Sequence, residues 1–149
     1  MNDTASPKND FKDQFLRLTR KKMLVVMLGG ALGTLLRYEI GEWVKTQPWA
    51  QGGFPYGTFF INITGSFILG AAATLIFRLP PEYAGWYAFV GIGFCGGYTT
   101  FSSFELETYN LIRDGSWRLA LLYVVGSVVV GFIGVVLGVM AVRLALPGK

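Results

Sequence analysis

The chain has 149 residues, 52% of them apolar, with 20 glycines, and only 15% are charged, against about 25% in an average soluble domain. Histidine is absent and Cys95 is the only cysteine, which excludes an intrachain disulfide framework and argues against a zinc or copper site. The net charge of +4 is concentrated in Lys8, Lys12, Arg17, Arg20, Lys21 and Lys22, just before the first apolar run. It therefore reads as a membrane-proximal anchor. A nucleic-acid surface would need a soluble platform to display it.

Residues 1–21 form a polar basic tail, expected to be disordered or loosely helical. Residues 22–149 form one membrane domain. Its apolar stretches run from residue 23 to about 44, 56 to 77, 86 to 112 and 117 to 142. Each approaches or exceeds the roughly 20 residues a helix needs to cross about 30 Å of hydrocarbon. The first is too long for a cleaved signal peptide. The expectation is an all-α membrane protein of four transmembrane helices. Gln51-Gly52-Gly53 with Pro55, Leu79-Pro80-Pro81 and Arg113-Asp114-Gly115 supply turns between the stretches. Trp43, Trp49, Trp86 and Trp117 mark segment ends, as at a water–lipid interface. Apart from the tail, basic residues are nearly balanced between the two sides. That balance permits insertion in both orientations, and the tail argues against it.

Polar groups inside a membrane point to function. In the first stretch Gly29, Gly33, Arg37 and Gly41 recur every fourth residue. This is a packing face, with Arg37 either snorkelling to the interface or attracting an anion. In the second, Asn62 brings an amide to the helix face it shares with Gly65 and Ser66. It could serve an interhelical hydrogen bond or a ligand equally well.

The third stretch carries Gly96-Gly97 followed by Thr99-Thr100, which disfavours a continuous helix. A helix broken at membrane depth is tolerated only where the freed backbone is buried or lines a polar site. Such breaks build ion sites, although a simple packing kink also fits. Beyond the break, Phe101 and Phe104 share a face, with Ser102 and Ser103 nearby. Ring edges turned inward would suit an anion; lipid-facing or core packing is the plainer reading. Glu105 and Glu107 lie toward the far end, where a water-filled vestibule would hydrate them. In the fourth stretch Tyr123, Ser127, Gly131, Gly134 and Gly138 form one stripe, the last two a GxxxG pair.

Three segments together resemble the CrcB/Fluc family of fluoride channels. They are Gly29-Gly30-Ala31-Leu32-Gly33 running on to Arg37-Tyr38, Gly57-Thr58 with Asn62 to Phe67, and Gly93-Phe94-Cys95-Gly96-Gly97-Tyr98-Thr99-Thr100-Phe101-Ser102-Ser103-Phe104-Glu105-Leu106-Glu107. The resemblance covers everything from about Met23 onward. It implies an antiparallel, dual-topology homodimer in the cell inner (cytoplasmic) membrane, with two fluoride pathways giving passive efflux that protects the cell from fluoride. It also implies a structural sodium ion held by the backbone carbonyls of Gly96 and Thr99 from each subunit. The resemblance places the fluoride pathway on Asn62, Phe101, Phe104, Ser103, Tyr123 and Ser127, and the vestibule at Arg37 and Glu107. Ser103 stands where the family pattern has threonine, and keeps the hydroxyl.

Fluoride is strongly hydrated, so a pore must replace its water with donors. This chain offers amide, hydroxyl and ring-edge donors. No phosphate-binding loop with lysine is present, which argues against ATP-driven pumping, and nothing in the sequence suggests an enzyme. The alternatives are a small dual-topology proton-coupled exporter, which would need a mid-membrane acid, and a structural membrane subunit that transports nothing.

Overall fold

The computed structural model describes the backbone of residues 7–147, and the side chains of residues 20–147 except those of Pro81 and Ala84. Among the described residues every regular element is helical. Helix α1 spans Pro7–Lys45 and α2 spans Tyr56–Ile76. The third segment is a composite. It comprises α3 (Ala84–Tyr87), a π-helical stretch (Ala88–Phe94), α4 (Cys95–Tyr98), two extended residues and α5 (Phe101–Arg113). Helix α6 spans Trp117–Ala145.

Three helices are long and apolar enough to cross a membrane: Arg20–Lys45 within α1, α2 and α6. In the third segment α5 has 13 residues, about 20 Å of helix, so no single piece reaches across. The first helix was expected from residue 23 but begins at Pro7. The later part of the tail thus continues it, while residues 1–6 lie outside the described residues.

The helices pair through glycine. A Cβ on Gly29 or Gly33 of α1 would run into the carbonyls of Phe89 or Phe94. In return, Gly93 and Gly97 press on the α1 carbonyls of Val26 and Gly30. The second pairing joins α2 to α6. Gly134 and Gly138 meet the carbonyls of Ile63 and Phe67, and Gly70 meets that of Val135. Small residues let backbones approach this closely, which is how helices associate where lipid is as apolar as the protein. The expected GxxxG pair is therefore part of a two-sided interlock.

The turn after α5 follows from its sequence. Gly115 adopts φ 76°, its N–H reaches the Ile112 carbonyl at 3.0 Å, and the Ser116 N–H reaches that of Leu111 at 2.8 Å. This is the Schellman pattern, which glycine accommodates without a Cβ clash.

Large apolar side chains cover the outside: Leu28 is 65% exposed, Phe132 68% and Val128 65%. Contiguous apolar surface on this scale marks contact with lipid or with another protein. The buried centre is small: Tyr123, Ala120 and Leu111, ringed by Phe54, Phe59 and Phe104.

If close backbone approach holds the pairs together, Gly97→Val and Gly138→Val should each cost about 3 kcal/mol or more. Gly126→Ala is the control, because its Cβ would meet only the Phe59 ring at 3.5 Å. It should be neutral or slightly stabilising. Thermal unfolding of the purified variants measures the difference, and equal loss in all three would contradict the glycine interlock.

Candidate functional site

The break lies at Thr99 and Thr100, the second half of the Gly96-Gly97, Thr99-Thr100 run that marks it in the sequence. Gly96 and Gly97 remain helical within α4. Thr99 has φ −81°, ψ 159° and Thr100 has φ −149°, ψ 122°. Both residues are β-branched and fit extended backbone well. The glycines serve close packing instead, Gly97 against α1.

Asn62 holds the break open. Its Oδ1 accepts the Thr100 N–H at 2.9 Å, and its Nδ2 donates to the Thr100 carbonyl at 3.0 Å. One side chain thus pairs with both backbone groups of a residue outside any helix. Thr100 then caps α5: its Oγ1 accepts the Ser103 N–H at 3.2 Å and donates to the Ser103 Oγ at 3.0 Å. A threonine oxygen satisfying an otherwise orphan helix donor is an N-cap. Ser103 is thereby tied to the break. On the other side, Arg37 donates from Nε to the Gly97 carbonyl at 2.9 Å. Arg37 therefore points inward to the broken segment rather than snorkelling out.

Farther along α5, Glu107 joins three helices. Its Oε1 accepts from the Thr58 hydroxyl at 2.8 Å, and its Oε2 from the Tyr123 hydroxyl at 2.7 Å. Tyr123 is completely buried. Glu107 is half-buried and held by partners, where free hydration was expected; Glu105 is the exposed one. Glu107, Arg37, Thr58, Thr100 and Ser103 line one open cavity of about 610 Å³.

The rings of Phe101 and Phe104 stand 5.7 Å apart, tilted by 36°. Phe104 packs on Tyr123 at 5.1 Å, whereas Phe101 is 69% exposed. Ser127 lies one turn beyond Tyr123. Its Oγ is buried without a hydrogen-bond partner among the described residues. A buried hydroxyl without a partner is costly unless something polar comes to it. A second concavity, about 330 Å³, opens beside the break; it includes Asn62, Ser66, Gly96, Thr99 and Phe101. The residues singled out in the sequence thus fall into two groups. Asn62, Phe101 and Ser103 with Arg37 surround the break, and Phe104 with Tyr123 and Glu107 runs away from it.

Two participants, Thr58 and Thr100, were not among the expected site residues. Thr58 precedes Asn62 by four residues and so shares its helix face, a spacing that could have flagged it. Thr100 precedes Ser103 by three, as an N-cap does.

Comparison with known proteins matches residues 24–139 to the family described as CrcB-like protein, Camphor Resistance (CrcB). The chain belongs to this family. It is 40% identical over 122 residues to the fluoride-specific ion channel FluC of Solibacter usitatus, covering 82% of this chain and 98% of that one. To the protein of the same name from Oceanobacillus iheyensis it is 42% identical over 126 residues, covering 85% and 92%. To that of Thermus thermophilus it is 43% identical over 125 residues, covering 83% and 93%. A CrcB-family chain with these apolar helices is a membrane protein.

The Tyr123 hydroxyl is one of two donors that hold the Glu107 carboxylate. Tyr123→Phe should therefore destabilise the fold by about 1.5 kcal/mol. Glu107→Gln keeps the shape and can still pair with both hydroxyls, so it should lose less. Thermal unfolding checks the order; a silent Tyr123→Phe would mean that water replaces the hydroxyl fully.

Proposed function

We propose that the chain is a fluoride-selective channel giving passive efflux of fluoride across the cytoplasmic membrane, and so protects the cell from fluoride. The observation that carries this reading is the row of rings and hydroxyls leading from the break. Phe101, Phe104, Tyr123 and the unpartnered Ser127 hydroxyl follow one another along α5 and α6, in a chain whose relatives are named fluoride-specific ion channels. The broken third segment is the fourth crossing, its two halves together spanning the bilayer. Sites built from weak neutral donors can release the ion they bind, as conduction requires. Hydrogen fluoride enters as a neutral weak acid and dissociates inside; the negative interior potential then drives the anion out. A proton-coupled exporter would need an acid at mid-membrane, yet α2 and α6 contain none. A non-transporting subunit would leave the break, the rings and the Ser127 hydroxyl without purpose.

The working unit is an antiparallel, dual-topology homodimer meeting at the break. A side chain on Gly96 would meet nothing within 4 Å in the protomer, and Phe101 beside it is exposed. That face is open and ready for a second copy. The same face fits a structural sodium ion, held by the Gly96 and Thr99 carbonyls of each subunit. No hydrogen bond reaches either carbonyl across the break among the described residues. Carbonyl oxygens are the right ligands for a hard monovalent cation. A cation there would add a fixed positive charge beside the anion path.

Fluoride efflux from liposomes containing only this protein tests the function, and a response to a pH gradient would favour the exporter. Phe101→Ile and Phe104→Ile keep apolarity and most of the volume, so packing alone should lose less than about 1.5 kcal/mol. The ring edges disappear, and flux should fall sharply while the protein stays assembled. Near-normal flux in both would make the rings packing residues. Thr99→Ser should be nearly silent. Gly96→Val should leave the protomer intact but abolish the dimer and its flux. Crosslinking single cysteines in a Cys95-free background, with efficient links only between equivalent ends, would establish a parallel pair instead.

A further inference from the structure

The cation site proposed above needs particular carbonyls to be free, and the hydrogen bonds around the break sort them. The Cys95 carbonyl is taken twice, by the Thr99 N–H and the Thr99 hydroxyl, both at 2.9 Å. The Gly97 carbonyl is taken by Arg37 at 2.9 Å, with the Thr34 hydroxyl at 3.4 Å. The Thr100 carbonyl is taken by Asn62 at 3.0 Å. Those of Gly96, Tyr98 and Thr99 receive no such bond among the described residues.

Gly96 is the instructive case. In a continuing helix its carbonyl would accept the N–H of Thr100, four residues on. That N–H points instead at Asn62 Oδ1, 2.9 Å away. The helix therefore stops at Tyr98, and the Gly96 carbonyl is left over.

We infer that Asn62 is a positioning residue for the cation site: by capturing the Thr100 N–H, it keeps the Gly96 carbonyl free to bind the ion. Arg37 works in the complementary sense. Its guanidinium occupies the Gly97 carbonyl, so the neighbouring oxygen cannot compete as a ligand. Asn62 thereby couples the cation to the anion path. The amide that borders the path also sets the backbone on which the fixed positive charge sits. Its remaining Nδ2 hydrogen is still available to an anion. This inference rests on the sodium reading given above.

The test is sodium affinity, independent of flux. Purified protein is titrated with Na⁺ against N-methylglucamine, and the apparent affinity is read from the thermal midpoint. Asn62→Leu cannot accept the Thr100 N–H, and should weaken sodium binding by about 10- to 100-fold, as for other residues that orient metal ligands. Asn62→Asp keeps the acceptor for the Thr100 N–H but loses the donor to the Thr100 carbonyl, and should bind sodium more tightly than the Leu variant. If Asn62→Leu fails to assemble, Asn62→Ser replaces it. Its hydroxyl is too short to reach Thr100, and the same weakening is expected. Wild-type sodium affinity in the Leu or Ser variant, or sodium binding in the Asp variant no tighter than in the Leu variant, overturns the role of Asn62. If the wild-type protein itself shows no sodium-dependent stabilisation, it is the sodium reading that fails.

Discussion

A backbone inside hydrocarbon has no water to turn to, so every N–H and C=O released from a helix must find a partner within the protein. The third segment releases several at once at Thr99 and Thr100. The surroundings of the break are organised around this requirement. Asn62 on α2 takes both backbone groups of Thr100. The Thr100 side chain opens α5 by capping it, and Arg37 on α1 covers a carbonyl on the near side. Three elements that are far apart in sequence are committed to one interruption. An interruption kept at such cost marks a place where backbone oxygens or an opened path are needed.

The glycine faces make these reaches possible. An asparagine side chain is short, so it can pair with a neighbouring backbone only if the helices nearly touch. Gly65 lies against the Thr99 side chain, which brings α2 up to the break. Gly93 and Gly97 do the same for α1. Packing and chemistry are therefore one arrangement: a larger residue at these positions would move donors away from acceptors as well as push helices apart.

Glu107 provides a second junction. With Thr58 and Tyr123 as donors, it ties α2, α5 and α6 together. The aromatic contacts of Tyr123 with Phe54 and Phe104 then carry order toward Phe101. The ring farthest from this junction is the most exposed. Rigid groups thus stand behind Phe101, whose ring is left free.

Much was legible in the sequence because it depends on local composition. Runs of about 20 apolar residues specify membrane helices whatever their neighbours. Gly115 predicts its turn through its own φ, and glycine at every fourth position predicts a contact face. The break was also visible, from Gly96-Gly97 followed by Thr99-Thr100, but propensity alone would put the glycines outside the helix. The helix ends at Thr99 and Thr100 instead, because its last hydrogen bond is decided by Asn62, 38 residues away, and propensity does not register a competing partner on another helix. The inward reach of Arg37 and the partial burial of Glu107 were hidden for the same reason. The sequence by itself determined which three helices are long and apolar enough to cross a membrane and where glycine lets helices meet, since those follow from transfer energy and side-chain size. Only the tertiary structure decided which carbonyls stay free and which carboxylate is held, since each depends on a hydrogen-bond partner brought from a different helix to within 3 Å.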